Sequence, residues 1–179
     1  TVGVVGASRI GRRVLALLRN LDMHALVSDP YLDAAGAAEL GAEWVEPDEL
    51  VRRSDIVTLH APDVPATRHL IDRRRLAMMR DGATLINTAR GRLVDTVALT
   101  PELVSGRLDA VLDVTDPEPL PADSPLFDLP NVLLTPHVAG ALGNEVARLG
   151  ELAVCEIERL AAGLPPAHPV RLQDLDRIA

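Results

Sequence analysis

The chain has 179 residues, 47% of them hydrophobic, and a formal net charge of −8 at pH 7. This length fits one globular domain with a sizeable core. The acidic balance, with a pI near 5.0, argues against nucleic acid or an anionic membrane as the main partner. No apolar run approaches the ~18 residues that cross a bilayer. The single cysteine excludes an intrachain disulfide and favours a reducing compartment, which predicts a cytoplasmic protein.

The first predicted element is a strand over Val2–Val5, which a glycine-containing turn joins to a helix. The strand is a continuous apolar run, typical of a parallel strand buried on both faces. Gly6 and Gly11 flank the turn, and apolar residues recur at helical spacing, at Ile10, Val14, Leu17, Leu18 and Leu21. Strand, glycine turn and helix in this order predict a dinucleotide site, with the pyrophosphate at the helix N-terminus. Ser8 occupies a position that usually holds glycine, so this motif alone is a weak indication.

A second strand, over residues 24–28, ends at Asp29 and Pro30. Asp29 lies 18 residues beyond Gly11, close to the spacing at which an acidic residue binds the adenosine ribose. The alternative is an aspartate that caps a helix or closes a turn, since Asp-Pro is common in turns. The spacing supports both interpretations equally. If Asp29 binds the ribose, its charge would repel the extra phosphate of NADP and favour NAD.

The rest of the chain alternates short apolar strands with amphipathic helices. Further strands are predicted over residues 43–45, 55–60, 83–87, 108–114 and 132–134. Helices are predicted over 34–40, 48–52, 72–80, 96–105 and 140–162, with a short helical turn over 67–71. This alternation predicts an α/β fold of the Rossmann type, in which helices cover both faces of a doubly wound parallel sheet of about seven strands. The switch point is expected beside the first strand.

The last predicted helix carries an apolar stripe, at Leu142, Val146, Leu149, Ala153, Ile157 and Leu160. Cys155 lies on the flank of this stripe, which favours a structural and unreactive thiol. Residues 163–179 contain three prolines and no clear period. We therefore interpret residues 1–162 as a dinucleotide-binding domain and residues 163–179 as a tail that leaves it.

Three polar residues follow the last three predicted strands: Arg90, Glu118 and His137. Singly, each has an ordinary explanation, as a surface arginine, a solvated loop charge and a turn histidine. Together they lie where the carboxyl ends of neighbouring parallel strands meet, which is where open α/β sheets bind ligands. Reduction of a 2-keto acid needs a cation for the carboxylate and a proton donor for the carbonyl. Arginine and histidine meet those needs, and a glutamate on the far ring nitrogen would fix the tautomer and favour the imidazolium.

Four segments resemble the D-isomer-specific 2-hydroxyacid dehydrogenases. They are Val-Gly-Ala-Ser-Arg-Ile-Gly (5–11), Leu-Ile-Asn-Thr-Ala-Arg-Gly (85–91), Gly-Arg-Leu-Asp-Ala-Val-Leu-Asp-Val-Thr-Asp-Pro-Glu-Pro-Leu (106–120) and Leu-Leu-Thr-Pro-His-Val-Ala-Gly (133–140). They occur in the family's order and spacing between residue 1 and about residue 162. The Asn-Thr-Ala-Arg-Gly and Thr-Pro-His segments are much more specific than the glycine turn.

The resemblance implies hydride transfer between NAD(H) and a small D-2-hydroxy acid or 2-keto acid. It implies Arg90 as the substrate anchor, His137 as the acid/base, Glu118 as its partner and Asp113 beside the nicotinamide carboxamide. With the loops at the strand ends, the predicted cofactor contacts are Gly6, Ser8, Arg9, Ile10, Gly11, Asp29, Pro30, His60, Ala61, Pro62, Thr67, Thr88, Ala89, Arg90, Asp113, His137 and Gly140. We predict no metal site. The family also implies a homodimer formed through this domain.

The chain departs from the family pattern at two positions and in the part of the family's length that it spans, and two alternative functions stay open. Ser8 replaces a glycine, and Thr115 stands where the family usually has an aromatic residue. The family's substrate domain, built mainly from about a hundred preceding residues, is not part of this chain, and residues 163–179 resemble only the start of the return to it. Without turnover, the chain would be an NAD-responsive binding or corepressor-like scaffold. Another Rossmann enzyme, such as a methyltransferase, would leave Arg90, Glu118 and His137 unexplained.

Overall fold

A computed structural model of the chain describes residues 1–172, in which seven strands alternate with six α-helices. The strands are β1 (Val2–Val5), β2 (Ala25–Ser28), β3 (Glu43–Trp44), β4 (Ile56–Leu59), β5 (Thr84–Asn87), β6 (Asp109–Leu112) and β7 (Val132–Leu134). The helices are α1 (Arg9–Leu18), α2 (Ala34–Glu39), α3 (Pro47–Arg53), α4 (Arg73–Met78), α5 (Thr96–Val104) and α6 (Asn144–Ala161). Short 3₁₀ turns cover Pro65–Thr67, Gly91–Leu93 and Pro125–Phe127.

All seven strands are parallel and lie in the order β3-β2-β1-β4-β5-β6-β7. The chain builds one half of the sheet outward from β1, returns to the other side of β1 and builds the second half outward from β4. The direction of winding therefore reverses between β1 and β4, and this confirms the predicted fold and its switch point. In such sheets the crevice for a ligand lies outside the carboxyl ends of the two central strands.

The sheet has a hydrophobic core on each face. Side chains alternate along β1, so that Val2 and Val4 pack in one cluster with Leu15 of α1, while Val5 packs in the other. The second cluster is larger and contains the buried residues of α3, α4 and α5. Because both faces are covered, the central strands must be apolar throughout, as the sequence of β1 indicates.

The apolar stripe predicted for the first helix is partly wrong. Gly11 packs against the turn that follows β1, and this contact fixes the rotation of α1 so that Gly11 and Leu15 face the sheet. The helix ends at Leu18, and the apolar side chains that point to solvent are Ile10, Leu17 and Leu21. A helical period alone does not reveal which of two adjacent apolar stripes is buried.

The last helix begins at Asn144, four residues later than predicted. Gly143 precedes it with a φ of +54°, and glycines at 140 and 143 disfavour a helix over the intervening residues. No residue of α6 is buried, so its predicted apolar stripe is exposed to solvent. Cys155, on the flank of that stripe, is exposed as well, and that its thiol is structural and unreactive stays a prediction.

Other differences from the predicted elements are small. Most predicted strands are one to three residues too long. The helical turn predicted over 67–71 instead covers Pro65–Thr67, since proline favours the first position of a helical turn. Ile71 lies beyond that turn, is buried and forms an isolated parallel bridge with Val94.

Part of the predicted tail folds back along α6. The guanidinium of Arg159 donates to the carbonyl oxygen of Pro165, and the Glu156 carboxylate accepts hydrogen bonds from the amides of Ala167 and His168. The remainder of the predicted tail, residues 173–179, lies outside the described residues. Among the helices within residues 1–172, none is long and apolar enough to cross a membrane.

Candidate active site

The turn between β1 and α1 requires both of its glycines. Gly6 has a φ of +93°, and a Cβ there would lie 2.7 Å from the backbone of His60 and Ala61. A Cβ on Gly11 would collide with the carbonyl oxygen of Gly6. The missing side chains bring the N-terminus of α1 against the carboxyl ends of β1 and β4. Because the amino end of a helix carries partial positive charge and unpaired amides, this cradle fits a dinucleotide pyrophosphate.

Ser8 is the N-cap of α1. Its hydroxyl accepts a hydrogen bond from the Arg9 amide at 2.6 Å, and serine is among the residues that N-caps favour. The residue that departs from the glycine pattern therefore has a local role at the start of the helix. We predict that a bound pyrophosphate lies beside residues 8–11. The Ser8 hydroxyl would then either bond to it or point away from it.

Asp29 lies at the carboxyl end of β2 and is tied to the glycine turn. Its carboxylate accepts the amide of Ala7 at 2.6 Å and the amide of Tyr31 at 2.7 Å. The structure thus gives Asp29 a turn-forming role, one of the two roles that the sequence left open. A carboxylate offers about four acceptor positions, so these two bonds leave acceptor positions for ribose hydroxyls. The Trp44 indole donates to the carbonyl oxygen of Asp29 at 3.3 Å.

The loop that follows β4 closes the other side of the cradle. His60 and Ala61 are buried, and the amide of His60 donates to the carbonyl of Val5. The His60 ring lies 3.0 Å from the Thr58 hydroxyl, and burial lowers the pKa of His60. Thr67 holds the loop by donating its hydroxyl hydrogen to the carbonyl of Pro62 at 2.6 Å.

Arg90 stands on a turn that Asn87 organises. The side chain of Asn87 is buried, and its NH₂ group donates to the Arg90 carbonyl at 2.9 Å. Its side-chain oxygen accepts from the backbone amide of Ala89 at 3.1 Å, as asparagine does in tight turns. Arg90 itself is exposed, and its guanidinium contacts the carbonyl of Ala89. Next to it, a Cβ on Gly91 would collide with the carbonyl of Thr115. The Arg90 turn therefore packs directly on the loop that carries Glu118.

Glu118 and His137 form a hydrogen-bonded pair between the loops that follow β6 and β7. Nδ1 of His137 lies 2.7 Å from Oε1 of Glu118. An ionised carboxylate only accepts hydrogen bonds, so Nδ1 carries the hydrogen and Nε2 remains for another partner. About half of each side chain is exposed, 51% for His137 and 42% for Glu118, so the pair is open to a ligand. It borders a cleft of about 720 Å³ whose lining also includes Asp113, Thr115, Leu120, Phe127 and Leu134.

Asp113 is buried behind this pair at the carboxyl end of β6. Its carboxylate accepts hydrogen bonds from the Thr135 hydroxyl and from the amides of Val138 and Ala139. Burial acts to raise the pKa of Asp113, but these hydrogen bonds and the nearby His137 lower it below its ordinary value.

The predicted site residues thus fall into three groups. Gly6, Gly11 and Asp29 join the loop after β4 around the glycine cradle. Glu118, His137 and Asp113 line the cleft beside β6 and β7. The third group is exposed at the ends of the same loops: Arg9, whose amide bonds Ser8, and Ile10, Pro30, Thr88 and Gly140.

Two residues that organise the site were not predicted: Asn87, which holds the Arg90 turn, and Thr135, which donates to Asp113. Both lie inside the motifs quoted from the sequence. Asparagine at a strand end is a signal for such a turn, whereas the contact of Thr135 with Asp113 spans two strands and has no local signal.

A doubly wound parallel sheet with a glycine cradle at its switch point defines the class of dinucleotide-binding domains. Residues 1–139 match the model of the D-isomer specific 2-hydroxyacid dehydrogenase, NAD binding domain, and the chain belongs to this family.

Relatives within the family support the assignment along most of the chain. D-3-phosphoglycerate dehydrogenase of Mycobacterium leprae is 43% identical over 162 residues, which cover 90% of this chain and 30% of that protein. Glyoxylate reductase of Korarchaeum cryptofilum is 38% identical over 168 residues, 93% of this chain and 51% of the relative. The crystal structure of D-lactate dehydrogenase with NAD⁺ from Lactobacillus jensenii superposes with a TM-score of 0.85 at 28% identity, covering 95% of this chain and 55% of that one. The chain therefore spans about a third to a half of the length of these relatives.

Proposed function

We propose that the protein containing this domain is an NAD-dependent D-2-hydroxyacid dehydrogenase that works as a reductase of small 2-keto acids. The observation that carries the proposal is the His137–Glu118 pair, 2.7 Å apart and open to the cleft beside the Arg90 turn. A scaffold that only binds NAD has no chemical need for an exposed, carboxylate-supported histidine. The isolated domain is expected to be inactive, because only half of the cleft is built from these residues.

Each residue has one task in this proposal. The guanidinium of Arg90 is a planar fork suited to the substrate carboxylate. The Glu118 carboxylate holds the Nδ1 hydrogen of His137, which directs Nε2 to the carbonyl oxygen of the keto acid. In that position His137 donates a proton during reduction and accepts one during oxidation. Bound NADH supplies the hydride.

The dinucleotide is proposed to lie across β1 and β4, with its pyrophosphate on the cradle of Gly6 and Gly11 and its adenosine ribose on Asp29. Support comes from the geometry of the turn and from the negative charge at the end of β2. We further propose that residues 1–162 form the NAD domain and that the tail from residue 163 returns toward a separate substrate domain. The greater length of the relatives supports this division.

The test is oxidation of NADH by the full-length protein with three small 2-keto acids: glyoxylate, hydroxypyruvate and a phosphorylated 2-keto acid. We expect turnover with at least one of them, and a loss of about 10²- to 10⁴-fold in kcat for His137→Ala, the range that general acid–base groups contribute. His24→Ala is the matched control, because His24 is also exposed but its ring pairs with Glu43 of β3. Failure of the whole panel, or an active His137→Ala variant, would refute the proposal.

We also propose that the protein is a cytoplasmic homodimer formed through this domain. The exposed and unpaired thiol of Cys155 suits a reducing compartment. Apolar side chains along the exposed α6 offer surface that a partner copy can cover. Sedimentation equilibrium of the full-length protein should give twice the monomer mass, and a monomer at micromolar concentration would contradict the dimer.

A further inference from the structure

The segment that carries His137 is held to the sheet mainly by one side chain, that of Asp113. Its Oδ1 accepts the Thr135 hydroxyl at 2.5 Å and the Val138 amide at 2.7 Å, and its Oδ2 accepts the Ala139 amide at 2.9 Å. The backbone carbonyl of Asp113 also accepts the His137 amide at 3.0 Å. Donors on both sides of His137 in the sequence therefore converge on Asp113.

His137 needs such support because its backbone is in the left-handed region, with a φ of +55°. This conformation is uncommon for a residue with a Cβ, and it persists where the surroundings determine it. The exposed side chains of His137 and its neighbours Pro136 and Val138 offer little packing to do so. Besides two backbone bonds, from the Thr135 amide to the Leu112 carbonyl and from the His137 amide to the Thr135 carbonyl, the hydrogen bonds that hold the turn go to Asp113.

The charge of Asp113 suits this task. Three donors can bond one carboxylate only if both of its oxygens accept, and these donors more than offset the burial that acts to raise the pKa of Asp113. Three of about four acceptor positions are then in use, so one remains for a cofactor amide. A contact with the nicotinamide carboxamide would change the KM for NADH whether or not the His137 ring is present, whereas holding the turn changes kcat only when that ring is present.

We propose that Asp113 is a positioning residue for catalysis, which fixes the turn of His137 so that its ring meets Glu118 on one side and the cleft on the other. The inference rests on the proposed function, since it assigns a task in the same reaction. Asp113 acts through His137, and its effect on the rate depends on the presence of that ring.

A double-mutant cycle tests this dependence in the full-length protein. We expect Asp113→Asn to lower kcat by about ten- to a hundredfold, a part of what general acid–base catalysis contributes, because the new NH₂ group cannot accept one of the amides. In the His137→Ala background the same substitution should lower kcat by less than about threefold, since coupled residues are not additive. Losses that multiply would overturn the proposal and assign Asp113 to the cofactor alone. Asp109→Asn, at the opposite end of β6, is the matched control and should leave kcat unchanged.

A second measurement does not depend on turnover. Hydrogen exchange followed by mass spectrometry should show faster exchange of a peptide covering residues 137–140 in Asp113→Asn, with peptides from β1 unchanged. Unchanged exchange at 137–140 would also overturn the proposal. If wild-type protein turned over no substrate, the proposed function would fail while this measurement still decided the role of Asp113.

Thr135→Val is the second variant in case Asp113→Asn does not fold. It removes one of the three donors and keeps the shape of the side chain. We expect a smaller loss of kcat in the same direction, again absent in the His137→Ala background. A loss that persists in that background would contradict the proposal.

Discussion

Single residues of the candidate site have exposures that match the tasks proposed for them. Asp113 and His60 are buried, whereas Arg90, Glu118 and His137 remain open to solvent. A buried group can fix a backbone turn because its rotamers are few, and an exposed group can meet a substrate without prior rearrangement. The sequence predicted the tasks of the exposed residues Arg90, Glu118 and His137 better than those of the buried residues Asp113 and His60. A motif contains the type of a residue but not its burial.

Replacement of Arg90 by lysine tests the planar fork. A single ammonium cannot bind both oxygens of a carboxylate in parallel, so Arg90→Lys should raise KM for the keto acid and lower kcat/KM by about tenfold or more, the equivalent of one charged hydrogen bond. Steady-state kinetics at saturating NADH measures the effect. Arg92→Lys is the control, because Arg92 is an exposed arginine whose guanidinium already pairs with Asp63 at 3.6 Å. Equal losses in both variants would contradict a specific role for Arg90.

His60 should make stability depend on pH below about 6.5. Burial lowers its pKa in the folded protein, while the unfolded chain takes up a proton near pH 6.5. Stability from His60 is therefore complete above pH 6.5 and is lost as the pH falls toward the folded pKa, by up to about 1.4 kcal/mol per pH unit. Urea unfolding gives the free energy of unfolding at pH 7.5 and at pH 5.5. The difference between the two values should be smaller for His60→Gln than for wild type. His168 is exposed, so His168→Gln should show the same difference between the two pH values as wild type. The wild-type difference in His60→Gln as well would refute this role of His60.

Among the secondary-structure elements, the candidate active site depends on contacts between successive loops at one edge of the sheet. The Arg90 turn follows β5, the Glu118 loop follows β6 and the His137 turn follows β7. Gly91 lets the Arg90 turn pack on the Glu118 loop through the backbone of Thr115. Asp113 connects the His137 turn to β6. The three loops are therefore expected to move together.

A methyl group at Gly91 should disturb this arrangement. A Cβ there would collide with the carbonyl of Thr115, and backbone cannot yield as a flexible side chain can. We expect Gly91→Ala to lower both kcat and the melting temperature, with a destabilisation of about 1–3 kcal/mol, as for other overpacked sites. Thermal unfolding and kinetics measure the two effects.

Gly150→Ala is the control for the same chemical change. Gly150 lies within α6 and a Cβ there would meet no atom within 4 Å. Alanine favours helices over glycine by about 1 kcal/mol, so this variant should be at least as stable as wild type. Wild-type stability and activity in Gly91→Ala would contradict the tight contact between the loops.

At the scale of the whole molecule, the sequence predicted the architecture more completely than the surface. The alternation of apolar strands and helices was enough for the seven-stranded sheet and its switch point, because burial on both faces leaves a strong pattern. The rotation of α1, the late start of α6 and the exposure of Cys155 were missed. Those features depend on which elements pack against a helix, and the spacing of its apolar residues does not contain that information. The same holds for Thr135 and Asp113, whose contact joins segments 22 residues apart.

NAD is proposed to bind across β1 and β4 with its adenosine ribose on Asp29. Trp44 is the only tryptophan of these 179 residues and contacts the backbone of Asp29, so the energy transfer to the reduced nicotinamide that is lost in Trp44→Phe reports binding at this domain. The measurement is the ratio of the dissociation constants of NADH and NADPH for wild type and Asp29→Asn. We predict saturable binding of NADH, with NADPH weaker by about tenfold or more, the equivalent of 1.4 kcal/mol of charge repulsion. The variant should narrow this gap. Absence of saturable transfer, or equal affinity of the wild-type protein for both cofactors, would contradict this mode of NAD binding.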